Sequence, residues 1–166
     1  MFRVIAKKKD HKSLLTILNA LSKIRLSLAG SELAREICIE HGKDPSLLIG
    51  VPIDFSKDVE SSAVTEDGRI VLNETLLDGE FEILMRYVIH ELVHVMQHID
   101  GGAGDRDEDY LDRESELEAF RYQIEYDSAN RSEEDVEEYI EGLLDFHDIS
   151  GKDRGQKEKE LMKRVE

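Results

Sequence analysis

The chain has 166 residues, 40 % of them hydrophobic, and a formal net charge of −16. That length suits one soluble domain able to bury its own core. The charge is concentrated late: residues 100–166 carry ten Lys or Arg against twenty-three Asp or Glu, so phosphate backbones are repelled and no nucleic acid is expected.

The first residues lack an apolar stretch of leader length, and no 18-residue uncharged run occurs anywhere, so a cytoplasmic protein with no membrane partner is expected. Residues 2–6 read as a strand. Leu14, Leu15, Ile17, Leu18, Leu21 and Ile24 then recur at helical spacing and predict a core helix. A second helix is predicted over residues 32–41, capped by Ser31 and stopped by Gly42, with Pro45 just beyond. Cys38 is the only cysteine, which excludes an intrachain disulfide, and beside Leu33 and Ile37 it reads as core. His41, at the helix end, reads as an exposed cap.

Residues 49–55 alternate as a strand with an irregular start at Gly50 and Pro52. Residues 63–65 and 69–72 are rich in β-branched side chains and flank Glu66, Asp67 and Gly68, which predicts a hairpin. Asn73 or Asp78 is placed to cap an apolar helix over residues 81–99, and Gly101 and Gly102 to end it. A helix over residues 110–127 follows, with Leu117, Phe120 and Ile124 on one face. Another starts at a Ser132 cap and carries Val136, Tyr139, Ile140, Leu143 and Leu144. Residues 1–150 are expected to form the domain, and residues 151–166 a charged tail or a helix, frayed or solvated.

The apolar helix contains His90-Glu91-Leu92-Val93-His94. Positions i and i+4 share a helix face, so both imidazoles can hold one metal ion, and zinc is the expected cofactor. Glu91 is offset by about 100°, where it can reach a metal-bound water as general base rather than ligate. A buried helix with two histidines and a carboxylate is costly unless something partners them, and a metal does so.

A catalytic zinc takes a third protein ligand. His98 stands about 12 Å along the axis from His90, too far without a bend, and His147 sits in a late amphipathic helix. Counting about 100° per residue, Glu116 lies about 40° from Phe120, Glu114 about 120° and Glu118 about 160° away. Glu116 is therefore the predicted ligand, with Glu114 and Glu118 on a solvated face. Asp105, Asp107, Asp109 and Glu116 fall at calcium-loop positions, but Tyr110 stands where that loop needs glycine.

The pentapeptide followed 22 residues later by Glu116-Leu117-Glu118-Ala119 resembles the gluzincin pattern, and its short spacing is similar to the small single-domain minigluzincins and the metallopeptidases of phages and mobile elements. The resemblance covers roughly residues 62–124. It implies a zinc metallopeptidase acting on a peptide or protein substrate, with the strand before the active helix as a sheet edge that pairs with the substrate. Arg69, Ile70, Val71, Leu72 and Asn73 are the matching segment. The expected fold is α+β: a small, mostly antiparallel sheet whose edge strand packs on the active-site helix, a following glutamate helix, and further helices at both termini. Tyr110, Tyr122 and Arg113 are candidates to stabilise an oxyanion. The alternative is a zinc-binding regulatory or interaction protein without peptidase activity.

Overall fold

The computed structural model describes residues 8–99 and 109–165, with side chains from Leu14 onward. The strand predicted over residues 2–6 and the stop at Gly101 and Gly102 lie outside these. The described residues form seven helices and a three-stranded sheet, an α+β arrangement. No helix among them is long and apolar enough to cross a membrane.

Helix α1 (Lys8–Gly30) follows the predicted periodicity, but only its later half is core. Ile24 and Leu28 are fully buried, whereas Leu14, Leu15 and Leu18 are more than half exposed. Among the described residues, α1 packs chiefly against a short helix and a 3-10 turn. Helix α2 (Glu32–Glu40) starts where Ser31 Oγ accepts the Ala34 N–H, and the chain leaves it through Gly42 at φ +66°, a left-handed conformation that suits glycine. Cys38 is buried.

Residues 47–50 are not the start of a strand. Asp44 Oδ1 accepts the Ser46 N–H, and the following amides bond back to Asp44, Pro45 and Ser46 to form one helical turn, α3 (Leu47–Gly50). Strand β1 (Ile53–Ser56) begins only after Pro52.

The predicted hairpin forms between β2 (Ser62–Val64) and β3 (Ile70–Asn73), antiparallel, with Ala63 opposite Val71 and Gly68 at φ +78° in the turn. Strand β1 pairs with the other side of β3 in parallel, Ile53 opposite Ile70. The sheet is therefore mixed rather than mostly antiparallel, in the order β1-β3-β2. This corrects the assignment of residues 69–73 as an edge. Both sides of β3 are paired, and among the described residues the hairpin's unpaired edge belongs to β2.

Asn73 caps a 3-10 turn (Glu74–Asp78) that leads into α4 (Phe81–Ile99), rather than capping α4 itself. Helix α4 is buried nearly all round, from Leu84 to Met96, between the sheet, α2 and α5 (Glu114–Asn130). A second 3-10 turn, Tyr110–Asp112, precedes α5 where a continuous helix was expected. Helix α6 (Glu133–Phe146) starts at a reciprocal capping box between Ser132 and Asp135.

The charged end of the chain is not frayed. It forms α7 (Gly151–Met162), whose Leu161 is fully buried against Leu117, Val136 and Ile140, and whose Lys157 amine reaches the Leu111 carbonyl. Beyond it, Arg164 bonds Glu125 and Glu36 at 2.6 Å and lies over the Tyr122 ring.

Candidate metal centre

One turn of α4 separates His90 from His94, and the close packing of α5 on α4 brings Glu116 to the same point. Ala119 is fully buried at this contact, small enough to let the two helices approach. The His90 and His94 Nε2 atoms lie 3.1 Å apart, with Glu116 Oε2 at 3.2 Å from His94 Nε2 and 3.5 Å from His90 Nε2. Donors placed tetrahedrally about 2.0–2.1 Å from a zinc ion stand about 3.3 Å from one another. The three observed separations bracket that value, so the three predicted ligands fit one small cation.

The charges agree. Burial alone would raise the Glu116 pKa, yet the two imidazoles hold it well below the usual carboxylate range. Burial likewise opposes charge on His94, but the Glu116 carboxylate overrides it and lifts the imidazole pKa to about 8. The point where these groups meet attracts positive charge, either a proton or a metal ion. Imidazole donors favour zinc and its transition-metal neighbours over magnesium or calcium.

The outer nitrogens of the two imidazoles are also held. His90 Nδ1 lies 2.9 Å from Gln123 Oε1 and His94 Nδ1 lies 2.8 Å from Gln97 Oε1. Neither glutamine stood out in the sequence. A Gln three residues after the second histidine was the one available signal, since i and i+3 share a helix face.

Glu91 is buried beside this cluster without joining it, and Ser62 of β2 donates its hydroxyl to Glu91 Oε1 at 2.6 Å. A cleft of about 350 Å³ opens over the cluster, lined by residues 62–66, His90, Glu91, His94, Gln97, His98, Tyr110, Arg113, Ser115 and Glu116. Strand β2, not residues 69–73, borders it. The Asn73 N–H bonds the Ser61 carbonyl and the Thr65 N–H bonds the Arg69 carbonyl, so residues 61, 63 and 65 point their backbone groups at β3. By the alternation of an antiparallel ladder, Ser62 and Val64 turn theirs away from β3, to the side where no described strand pairs.

The remaining candidates divide clearly. Tyr110 and Arg113 line the cleft, and the Tyr110 hydroxyl bonds Glu116. Burial first, then that carboxylate, pushes the Tyr110 pKa far above its ordinary value, so it stays a neutral donor. Tyr122 points away and donates to Glu40. His147 is no ligand. It stacks on Tyr110 with ring centroids 5.0 Å apart. Glu114 is solvated and paired with Arg121, as expected. Glu118 is not on a solvated face: it accepts from Gln97 Nε2 at 2.7 Å and lies 3.5 Å from His41 Nε2. His41 is accordingly mostly buried rather than exposed. Comparison with protein-family models, with curated proteins and with solved structures finds no match.

Proposed function

We propose that the chain is a zinc-dependent peptidase, with zinc held by His90, His94 and Glu116. The observation that carries this reading is Glu91: a buried carboxylate beside the three ligands yet outside their set, facing an open cleft. A purely structural site has no use for such a base and closes its fourth position. When bound, zinc would act as a Lewis acid that brings the pKa of a water toward neutrality and polarises a substrate carbonyl.

The chain's own groups supply the rest. The open edge of β2 offers the backbone of Ser62 and Val64 to an extended peptide, which seats a scissile bond over the cleft. Ser62 occupies Glu91 Oε1 and leaves Oε2 to take a proton from the attacking water and deliver it to the departing amine. The neutral Tyr110 phenol, whose one hydrogen goes to Glu116, would serve the developing oxyanion by turning that hydrogen from the carboxylate to the substrate oxygen.

The test combines metal analysis of purified protein with turnover of unfolded casein and a fluorogenic peptide library. Wild-type protein should bind one zinc and cleave. Glu91→Gln should keep the zinc and lose turnover by at least about a hundredfold. Zinc without cleavage in the wild type would favour the regulatory alternative, and full activity in Glu91→Gln would refute the mechanism.

A further inference from the structure

Behind the ligands, two side-chain relays run in different directions. The first leaves His90 through Gln123, which is 1 % exposed. The Gln123 amide donates to the Tyr139 hydroxyl at 2.6 Å, and the Tyr139 ring is held under the Arg86 guanidinium at 4.1 Å. The second leaves His94 through Gln97, whose amide donates to the Ser115 carbonyl at 3.0 Å and to Glu118 Oε2 at 2.7 Å.

An amide nitrogen only donates, and a carbonyl or carboxylate oxygen only accepts. Ser115 and Glu118 therefore fix which end of the Gln97 amide faces His94: its oxygen. The Gln123 amide stands in the same sense, its nitrogen toward the Tyr139 hydroxyl, a group that can donate or accept, and its oxygen toward His90. An imidazole nitrogen facing a carbonyl oxygen has to carry hydrogen, so Nδ1 is protonated on both rings. In the neutral rings the lone pairs are then left on the two Nε2 atoms, the ones that converge 3.1 Å apart with Glu116.

We infer that Gln97 and Gln123 are the positioning residues of the metal centre, fixing both histidines in the Nδ1–H tautomer. The inference rests on the proposed metal site and not on hydrolysis. It carries an asymmetry that mere packing does not. A carboxylate at position 123 can still accept from His90 and can take a hydrogen bond from Tyr139 in return. A carboxylate at position 97 would face the Glu118 carboxylate and the Ser115 carbonyl, two acceptors with nothing to give.

The experiment uses the full chain and four variants: Gln97→Leu, Gln97→Glu, Gln123→Leu and Gln123→Glu. Imidazole tautomers are read from long-range 1H–15N spectra of the metal-free protein at pH 9, where neutral rings dominate. Zinc affinity is read by competition with a chromogenic chelator. Wild type should show Nδ1–H on both histidines. Gln97→Leu should release His94 alone, and Gln123→Leu His90 alone, toward the Nε2–H form that an unconstrained histidine side chain prefers. Each should weaken zinc binding about ten- to hundredfold. Gln123→Glu should bind zinc at least as tightly as wild type, while Gln97→Glu should be as weak as Gln97→Leu.

Nε2–H histidines in the wild type, or leucine variants with unchanged tautomers and affinity, would overturn the inference. So would equal behaviour of the two glutamate variants. If Gln123→Leu does not fold, Gln123→Glu and the Gln97 pair still decide it. Wild-type protein that binds no zinc would sink the metal reading, while the tautomer spectra would still report on the glutamines.

Discussion

Stripped of metal, the protein should lose stability as the pH rises from 7 to 9, because a proton then stands where the cation would. Burial opposes charge on His94, but the Glu116 carboxylate raises its pKa from 6.5 to about 8 in the folded protein. A folded pKa above the unfolded one stabilises fully below about pH 6.5 and loses that contribution as pH climbs through 8. The shift is worth about 2 kcal/mol at low pH, of which about 1.2 kcal/mol remains at pH 7 and almost none at pH 9. Glu116, with its lowered pKa, stays ionised throughout this window and adds no slope. His147, lowered chiefly by burial, acts in the opposite sense but below pH 6.5. Urea unfolding of chelator-treated protein at pH 7, 8 and 9 measures the effect, which corresponds to roughly 2–5 °C in Tm. His94→Asn should remove most of the slope, leaving the smaller fall toward pH 9 that comes from the buried Cys38 thiol, whose pKa burial raises. Stability that is flat or rising over this range in the wild type would refute the proposed charge balance.

Glu116→Ala should weaken zinc binding by more than the ten- to hundredfold typical of an outer-sphere partner, Glu118→Ala by about that amount through Gln97, and Glu114→Ala negligibly, as chelator competition would show. Val64→Pro deletes an outward N–H of β2 and should reduce peptide turnover with zinc retained, whereas Val71→Pro breaks the central strand and should cost both fold and zinc, measured by metal content and circular dichroism. Ser132→Ala removes half of the α6 capping box and should cost about 1 kcal/mol in urea unfolding without changing zinc affinity.

The convergence of His90, His94 and Glu116 was legible because helical geometry is local: the i, i+4 spacing of the histidines and the angular position of Glu116 follow from about 100° per residue. The hairpin was legible for the same reason, since Gly68 closes a turn between neighbouring segments. Strand order was not. Whether β3 is an edge depends on β1 arriving in parallel from fourteen or more residues upstream, and nothing within residues 69–73 encodes that. Glu118 and His41 were misplaced because a helical wheel knows one helix's core face and not a second neighbour: α2 brings His41 to the flank that looked solvated. Leu161 and Arg164 give the charged terminus its anchor, and single residues of that kind leave no periodic signal.

Helix α5 is a party wall between two separate buried clusters. Ala119 and Tyr122 belong to the one built on α4 and the sheet, while Leu117, Phe120 and Ile124 belong to the one completed by α6 and α7. Glu116 and Gln123 ride on that wall, Glu116 set by the packing of α5 on α4 and Gln123 by its bond to Tyr139 of α6. Uptake of the proposed zinc would thereby report on more than the pentapeptide: the third ligand needs α5 docked on α4, and the hold on His90 needs α6 to keep Tyr139 against Gln123. Binding would also feed back, since a ligand that recognises only the folded form stabilises what holds its donors, α5 on α4 first and α6 behind Gln123.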